Sequence, residues 1–491
     1  MKDSPAQVTL GFAPTLPATL AIVAGYALLH AVMRLIASGN LGEDDPASQL
    51  AIQTLAAGYR LDVGPLYDWL LWLVQTLTGS RGLATFLAVK YGCLLLIAGM
   101  IFSITRRLTG SALWAFIAVE SLAAIYQIFW RFHEGFTHRV GAMTITIATL
   151  WAVLRLAEQP SHGRYALLAV LFGCGLLSEH SVLVFFLALM LAVLPAPTFR
   201  RALFNFRLLL WLPLSLLIAS PYLVWLTRDR ERLAAFLAEL LPTVPPPALS
   251  GIAHSLSKAL LMPLEVLSPW LLIALFTFPR VLRGLRQPAQ DQPALRLIER
   301  LLAIELALLV IMNGLVFQLT DYAVHSLLPL LLPAVPWLTA RLAATFPAEA
   351  RIRAYVQILF VFTLIAFSVR AANLFLYEPF CSRCRWGTPY EELASRLRAL
   401  GFEQGLIVAH DIHTAGNLRR FFPEARVYLD APPEGLALKT PRAEVWLAGD
   451  APAEEDAHAP VTLALPWRAP FKPEGYRQTL WQARIKPTPP L

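Results

Sequence analysis

Runs of apolar residues, separated by short polar stretches, recur along the chain from its N-terminus to about residue 371. The longer runs reach about 17–25 residues, the length a helix needs to cross a hydrocarbon core. The pattern predicts helices over 16–38, 82–105, 111–130, 140–157, 164–177, 181–196 and 208–226. Further helices are predicted over 262–279, 298–318, 324–340 and 354–371, giving about eleven crossings. No small-residue cleavage site follows the first run, so it reads as a retained helix rather than a signal peptide. Segment 65–77 is too short to cross comfortably and carries Asp68, which suits an interfacial or re-entrant helix.

Beyond Tyr377 the periodicity changes. Segment 389–401 has helical spacing and ends on Gly401, 406–409 is strand-like, 414–422 is helical, and 425–429 is strand-like again. Segments 444–448 and 477–485 add candidate strands. The expected organisation is a membrane bundle over 1–376 and a small α/β domain over 377–491. That second domain has no glycine-rich phosphate fingerprint, which argues against nucleotide binding.

Composition strengthens the membrane reading. The hydrophobic fraction is 57%, the charged fraction 15%, and the mean hydropathy +0.56. A soluble domain carries about 25% charged residues. The net charge of +8 invites a nucleic-acid partner, but the arginines fall in short-loop clusters. These are Arg106 and Arg107; Arg200, Arg201 and Arg207; Arg280, Arg283 and Arg286; and Arg341, Arg351 and Arg353. They alternate with loops bearing acids and histidines, as the positive-inside rule requires, so topology rather than nucleic acid explains the charge. This places the N-terminus in the cytoplasm, and the loop 40–64 and the C-terminal domain outside it. Cys93 and Cys174 lie in apolar runs as packing residues, whereas Cys381 and Cys384 form a Cys-x-x-Cys suited to a local disulfide outside the cytoplasm.

Under this topology the chemically interesting side chains converge on one face. They are Glu43, Asp44 and Asp45; the run 133–139 with Glu134, His138 and Arg139; Glu179 with His180; the cluster 228–232 beginning at Arg228; and Asp321 with Tyr322. A carboxylate beside a bilayer is costly unless it meets water, a cation or a substrate. One such carboxylate suits a general base that takes a proton from an acceptor. Asp45 followed by Pro46 also suits a helix N-cap with proline at the first helical position, which explains Asp45 better than Asp44. Lys90, inside an apolar run, faces a cavity or partner, or else snorkels. His133, Glu134 and His138 are metal-ligand types, so a divalent metal is an alternative, and no cofactor is otherwise indicated.

The order of motifs resembles a known family. An acidic pair after the first helix, then Gly58-Tyr59, then Pro65-Leu66-Tyr67-Asp68-Trp69, is similar to the first-loop pattern of bacterial family-39-type (PMT/ArnT-like) membrane glycosyltransferases. These belong to the C-type superfamily, with the lipid A aminoarabinose transferases and protein O-mannosyltransferases. Phe136-Thr137-His138 with Val140, Leu176-Leu177-Ser178, and Gly416-Asn417-Leu418-Arg419 before Phe422-Pro423 resemble further family segments in the same order.

The resemblance implies an inner-membrane enzyme that moves a sugar from a polyprenyl-phosphate donor to a lipid, glycan or protein acceptor. It implies Asp44 as catalytic base, Asp45 as its assistant, and Lys90 near the donor phosphate. Tyr59, Tyr67, Glu134, His138, Arg139, Glu179, His180 and Arg228 are the expected substrate contacts. The chain departs from the pattern at Gly135 (an acid in the family), Glu179 (a lysine) and Gly64-Pro65 (a proline pair). Arg139, Arg228 or another arginine then supplies the missing cation, or the donor differs. A transporter or lipid flippase, and a catalytically degenerate assembly protein, are the alternatives.

Overall fold

The structure, a computed structural model, describes residues 13–240, 249–281, 292–317, 324–377, 384–432, 441–448, 459–468, 472–473 and 476–486. Asp321, Tyr322, Cys381, Arg283 and Arg286 lie outside the described residues.

The N-terminal part is helical. Helix α1 (Leu16–Ala37) begins at Thr15, whose hydroxyl accepts from the Ala18 amide. It is followed by α2 (Asp45–Ala51), α3 (Leu66–Thr78), α4 (Leu83–Thr109), α5 (Ala112–Ser121), α6 (Tyr126–Phe129) and α7 (His138–Glu158). Next come α8 (His162–Leu176), α9 (Ser181–Val193), α10 (Pro197–Leu203) and α11 (Phe206–Thr227). Among the described residues, five helices are long and apolar enough to cross a membrane: α1, α4, α7, α11 and Glu349–Tyr377. The pair α9 and α10, bent by 120°, makes a sixth if counted as one span. Helices α4 and α7 are the buried centre, whereas α1, α11 and Glu349–Tyr377 turn leucines and phenylalanines outward. Leu29, Leu217 and Phe360 are among these outward residues, an exposure that lipid explains and water does not. The chain is a multi-pass membrane protein.

Several predicted helices are broken. The run predicted over 111–130 stops at Ser121, turns through Leu122–Ala124, and resumes as α6 after an extended Ile125. The run predicted over 262–279 divides into Leu249–Leu267 and Trp270–Thr277. The two breaks meet: the Tyr126 amide donates to Ser268 O at 2.9 Å, and Ile125 bridges Pro269. Buried non-helical backbone is tolerated where protein satisfies it, which each break does for the other. The run predicted over 298–318 becomes Pro293–Leu309 and a π-helical turn, Val310–Val316. The one predicted over 324–340 divides into Val324–Leu327, Leu328–Leu331 and Ala334–Ala343, with Pro333 at the last break.

The C-terminal part is a five-stranded sheet with helices packed on it. Its strands are β1 (Leu406–Ala409), β2 (Arg426–Leu429), β3 (Arg442–Leu447), β4 (Val461–Pro466) and β5 (Gln478–Lys486), in the order β2-β1-β3-β5-β4. Strand β1 runs parallel to β2 and β3, while β5 is antiparallel to β3 and β4. The helix Ile412–Phe421 joins β1 to β2 and is capped by Asp411, which accepts from the His413 and Thr414 amides. A separate apolar core, including Leu393, Ile407, Leu418, Val427 and Trp481, lies under the sheet. Strand β4 has no counterpart in the sequence reading. Cys93 and Cys174 are free, and Cys384 is disulfide-bonded.

Candidate active site

The loop between α1 and α3 carries the acids and sends neighbours in opposite directions. Glu43 has a left-handed backbone (φ 51), the Asp45 amide closes a turn onto Gly42 O, and α2 starts at once. Asp45 is consequently the first helical residue, and Asp44 occupies the N-cap position without a side-chain capping bond. This corrects the expectation that Asp45 caps the helix. Its carboxylate turns inward, fully buried, with Lys90 Nζ 2.9 Å from one oxygen and 3.2 Å from the other. Burial raises the Asp45 carboxyl to about 6, and Lys90 opposes the shift. Lys90, itself buried on α4, is committed to this ion pair, away from the cavity in which Asp44 stands. An unpaired ammonium there would bear a desolvation cost that the carboxylate offsets.

Asp44 faces the open side. Its side chain is 43% exposed and sits 3.2 Å from Arg139 Nη1. The same guanidinium lies 3.4 Å from Glu179 and donates to Ser326. Arg139 thus stands between two carboxylates contributed by separate loops. With Glu43, Asp44, Arg131, Glu134, Gly135 and Phe136 it lines a cavity of about 120 Å³. Burial raises the Glu179 carboxyl, and Arg139 opposes the shift.

The departures from the family pattern acquire local reasons. The Gly64 amide donates to Ser178 O at 3.1 Å, and the Leu66 amide to Leu177 O at 2.9 Å. A proline at 64 would lose the first bond, and a Cβ there would lie 2.3 Å from Leu177 O. These bonds tie Glu179 to the first loop. A Cβ on Gly135 would lie 2.1 Å from Glu43 Cβ, so Glu43 occupies the space that a side chain at 135 would need. Glu134 beside it is 3.6 Å from Arg370, which also donates to His133 O. Burial raises the Glu134 carboxyl against the pull of Arg370.

The remaining expected contacts divide between buried support and periphery. His138 Nε2 lies 3.0 Å from Asp68, and its Nδ1 3.0 Å from the Thr137 hydroxyl. The Tyr67 ring packs on His138 at 5.6 Å. The sequence reading did not give Asp68 a role in the site; an acid on a short apolar helix was the available signal. His133 uses both ring nitrogens on Tyr26 and Tyr91, each at 2.8 Å. It is therefore not grouped with Glu134 and His138 as a metal would need, and the described residues contain no such cluster. The Tyr59 hydroxyl accepts from the Ala56 amide and donates to Thr54 O, stapling its own loop. His180 packs edge-on against Phe236. Arg228 is exposed where α11 ends; its neighbour Arg232 covers Trp225, the ring that fills the space over Gly58.

Comparison with known proteins gives a consistent set of likenesses. The family described as dolichyl-phosphate-mannose-protein mannosyltransferase matches residues 62–225. The lipopolysaccharide core galacturonosyltransferase RgtA of Rhizobium johnstonii is 24% identical, over 91% of this chain and 86% of that protein. RgtB of the same organism, also a lipopolysaccharide core galacturonosyltransferase, is 28% identical, over 87% of this chain and 86% of its own length. The crystal structure of ArnT from Cupriavidus metallidurans in the apo state superposes with a TM-score of 0.60. That match covers 95% of this chain and 98% of ArnT at 12% identity, which shows a shared fold. A helical membrane bundle with the fold of ArnT, a C-terminal sheet and likeness over most of the chain to two glycosyltransferases agree, and the chain is a membrane glycosyltransferase that resembles the PMT/ArnT-like enzymes.

Proposed function

We propose that the chain transfers a sugar from a polyprenyl-phosphate carrier to an acceptor hydroxyl at the extracytoplasmic face of a bacterial inner membrane, with Asp44 as the general base. Asp44 takes the proton from the acceptor hydroxyl, whose oxygen forms the new bond to the anomeric carbon. The bond from that carbon to the phosphate oxygen breaks, and the polyprenyl phosphate leaves with the electron pair. Arg139 orients Asp44 and offsets charge at the cavity, work that is mainly electrostatic. The Asp45–Lys90 pair, Tyr67 and the Asp68–His138 pair support the site from behind. The proposed arrangement has eleven crossings, a cytoplasmic N-terminus and a division near residue 376.

The observation that carries the reading is the divergence of two adjacent acids, one open on a cavity beside an arginine and the other sealed in an ion pair. The printed names of RgtA and RgtB make a galacturonosyl donor and a lipopolysaccharide core acceptor the first pair to try.

Purified protein in vesicles, supplied with polyprenyl-phosphate galacturonate and lipopolysaccharide core, tests this directly. A general base contributes about 10²–10⁴-fold, so Asp44→Asn is expected to cut turnover by that factor while leaving the unfolding midpoint unchanged. Unchanged turnover in Asp44→Asn would end the general-base assignment.

A further inference from the structure

Residues 40–53, which carry Asp44, touch the C-terminal part at several points. The Asn417 side chain, fully buried on the helix Ile412–Phe421, engages both backbone groups of Leu41. Its Oδ1 accepts from the Leu41 amide at 2.9 Å, and its Nδ2 donates to Leu41 O at 3.2 Å and to His413 O at 2.9 Å. One residue earlier, Gly416 lies directly on α2: a Cβ would fall 2.3 Å from Pro46 O and 2.5 Å from Pro46 Cα. Past α2 the same device runs in reverse. Gln53 Nε2 donates to Val427 O at 2.7 Å, and Gln53 Oε1 accepts from the Val427 amide at 2.8 Å. Strand β2 is an edge of the sheet, and Gln53 occupies part of its open ladder. Before α2, Asn40 donates to Trp386 O and Thr388 O, and the Trp386 ring lies where a Cβ on Gly42 would fall.

We infer that Gly416 and Asn417 form a latch through which the C-terminal domain sets the position of Asp44, and that Asn417 is a positioning residue for the transfer. This rests on the reading of Asp44 as base. The bonds involved are local and specific. Asn417 holds backbone three residues before Asp44, Gly416 meets backbone two residues after it, and Gln53 closes the far end of the segment. Nothing in sheet stability requires a buried amide to face outward onto Leu41. Neither Asn417 nor Gly416 lines the cavity at Asp44, so their effect on the reaction runs through the loop. A displacement of about 1 Å can cost about 100-fold in rate.

The test compares Asn417→Ala, Gly416→Ala and Gln53→Ala with wild type in the full chain, by steady-state kinetics and by hydrogen exchange of peptides spanning 40–53 and β1 to β3. Gln53→Ala lies on the loop side and leaves the C-terminal core untouched, so it reports even where Asn417→Ala fails to fold. The expected result is kcat lowered roughly 10-fold or more with KM within about 2-fold. Faster exchange confined to 40–53 and normal protection in the sheet should accompany it.

Unchanged exchange at 40–53 in all three variants overturns the latch, as does unchanged kcat with a loosened loop. Equal loosening of sheet and loop in every variant reduces Asn417 to a structural residue and overturns it as well. If Asp44→Asn keeps full turnover, the base assignment falls, while the exchange measurement still decides whether the loop is held from this domain.

Discussion

The two sides of the N-terminus of α2 hold chemically identical groups in opposite environments. On one side Asp44 opens to a small cavity and shares Arg139 with Glu179. On the other, Asp45 and Lys90 form a pair sealed among the side chains of α4 and its neighbours. The open side is suited to exchange a proton with a bound molecule, because one member of the ion pair stays accessible. The sealed side is suited to hold geometry, because separating its charges exposes each to a low-dielectric surrounding. A catalytic carboxylate is better recognised by what it is left free to do than by how strongly it is bound.

Breaking the sealed pair is the largest test of this contrast. Removing one partner of a buried pair costs about 3–5 kcal/mol, so Asp45→Asn and Lys90→Met are each expected to lower thermal stability markedly in detergent. The double variant should regain much of the loss, since no uncompensated charge remains. If neither single variant shifts the midpoint more than Asp44→Asn does, the division between sealed and open sides fails.

A smaller effect is expected on the open side from Arg139→Gln. Hydrogen bonds to charged groups contribute about 1.5–3 kcal/mol, which corresponds to roughly 10–100-fold in turnover when the bond orients a reacting group. Stability should change little, because this guanidinium is partly exposed. A fall in the unfolding midpoint as large as that of Lys90→Met would make Arg139 a structural residue.

A third effect is a pH dependence. Burial raises the folded-state Asp45 carboxyl to about 6, above its unfolded value. The folded chain therefore binds a proton more readily than the unfolded chain between roughly pH 4 and 6. This group's contribution to stability is greatest below that window, declines as pH rises through it, and is level above. Subtracting the midpoint-against-pH curve of Asp45→Asn from that of wild type should isolate a slope confined to pH 4–6. A slope of opposite sign would mean that Lys90 outweighs burial at this site.

Much of the architecture was legible in the chain. Apolar run length marks α1, α4, α7 and α11, and short alternating segments anticipate β1, β2, β3 and β5. The helix breaks at Ile125 and Ser268 were not legible, because each is tolerated only through backbone bonds from the other. The acid-bearing loop stood out as an anomaly in an oily chain, but the roles of its members did not. Asp45 followed by Pro46 fits a capping rule, yet a buried lysine won over the cap, since a desolvated ammonium has more to lose than an exposed helix end. Asp68 marked a short interfacial helix but no place in the site, because its partner His138 sits 70 positions later.

By itself the sequence determined that this is a polytopic helical membrane protein with a terminal α/β unit and acids gathered in one loop. These properties follow from run length, periodicity and composition, which act locally along the chain. Only the tertiary structure decided which acid is open and which is sealed, that Arg139 takes the central cationic place, and that Asn417 holds the loop. Those outcomes depend on partners 45, 95 and 376 positions apart in the chain. Burial and pairing are properties of the packed neighbourhood, and no local pattern encodes which distant side chain will arrive there.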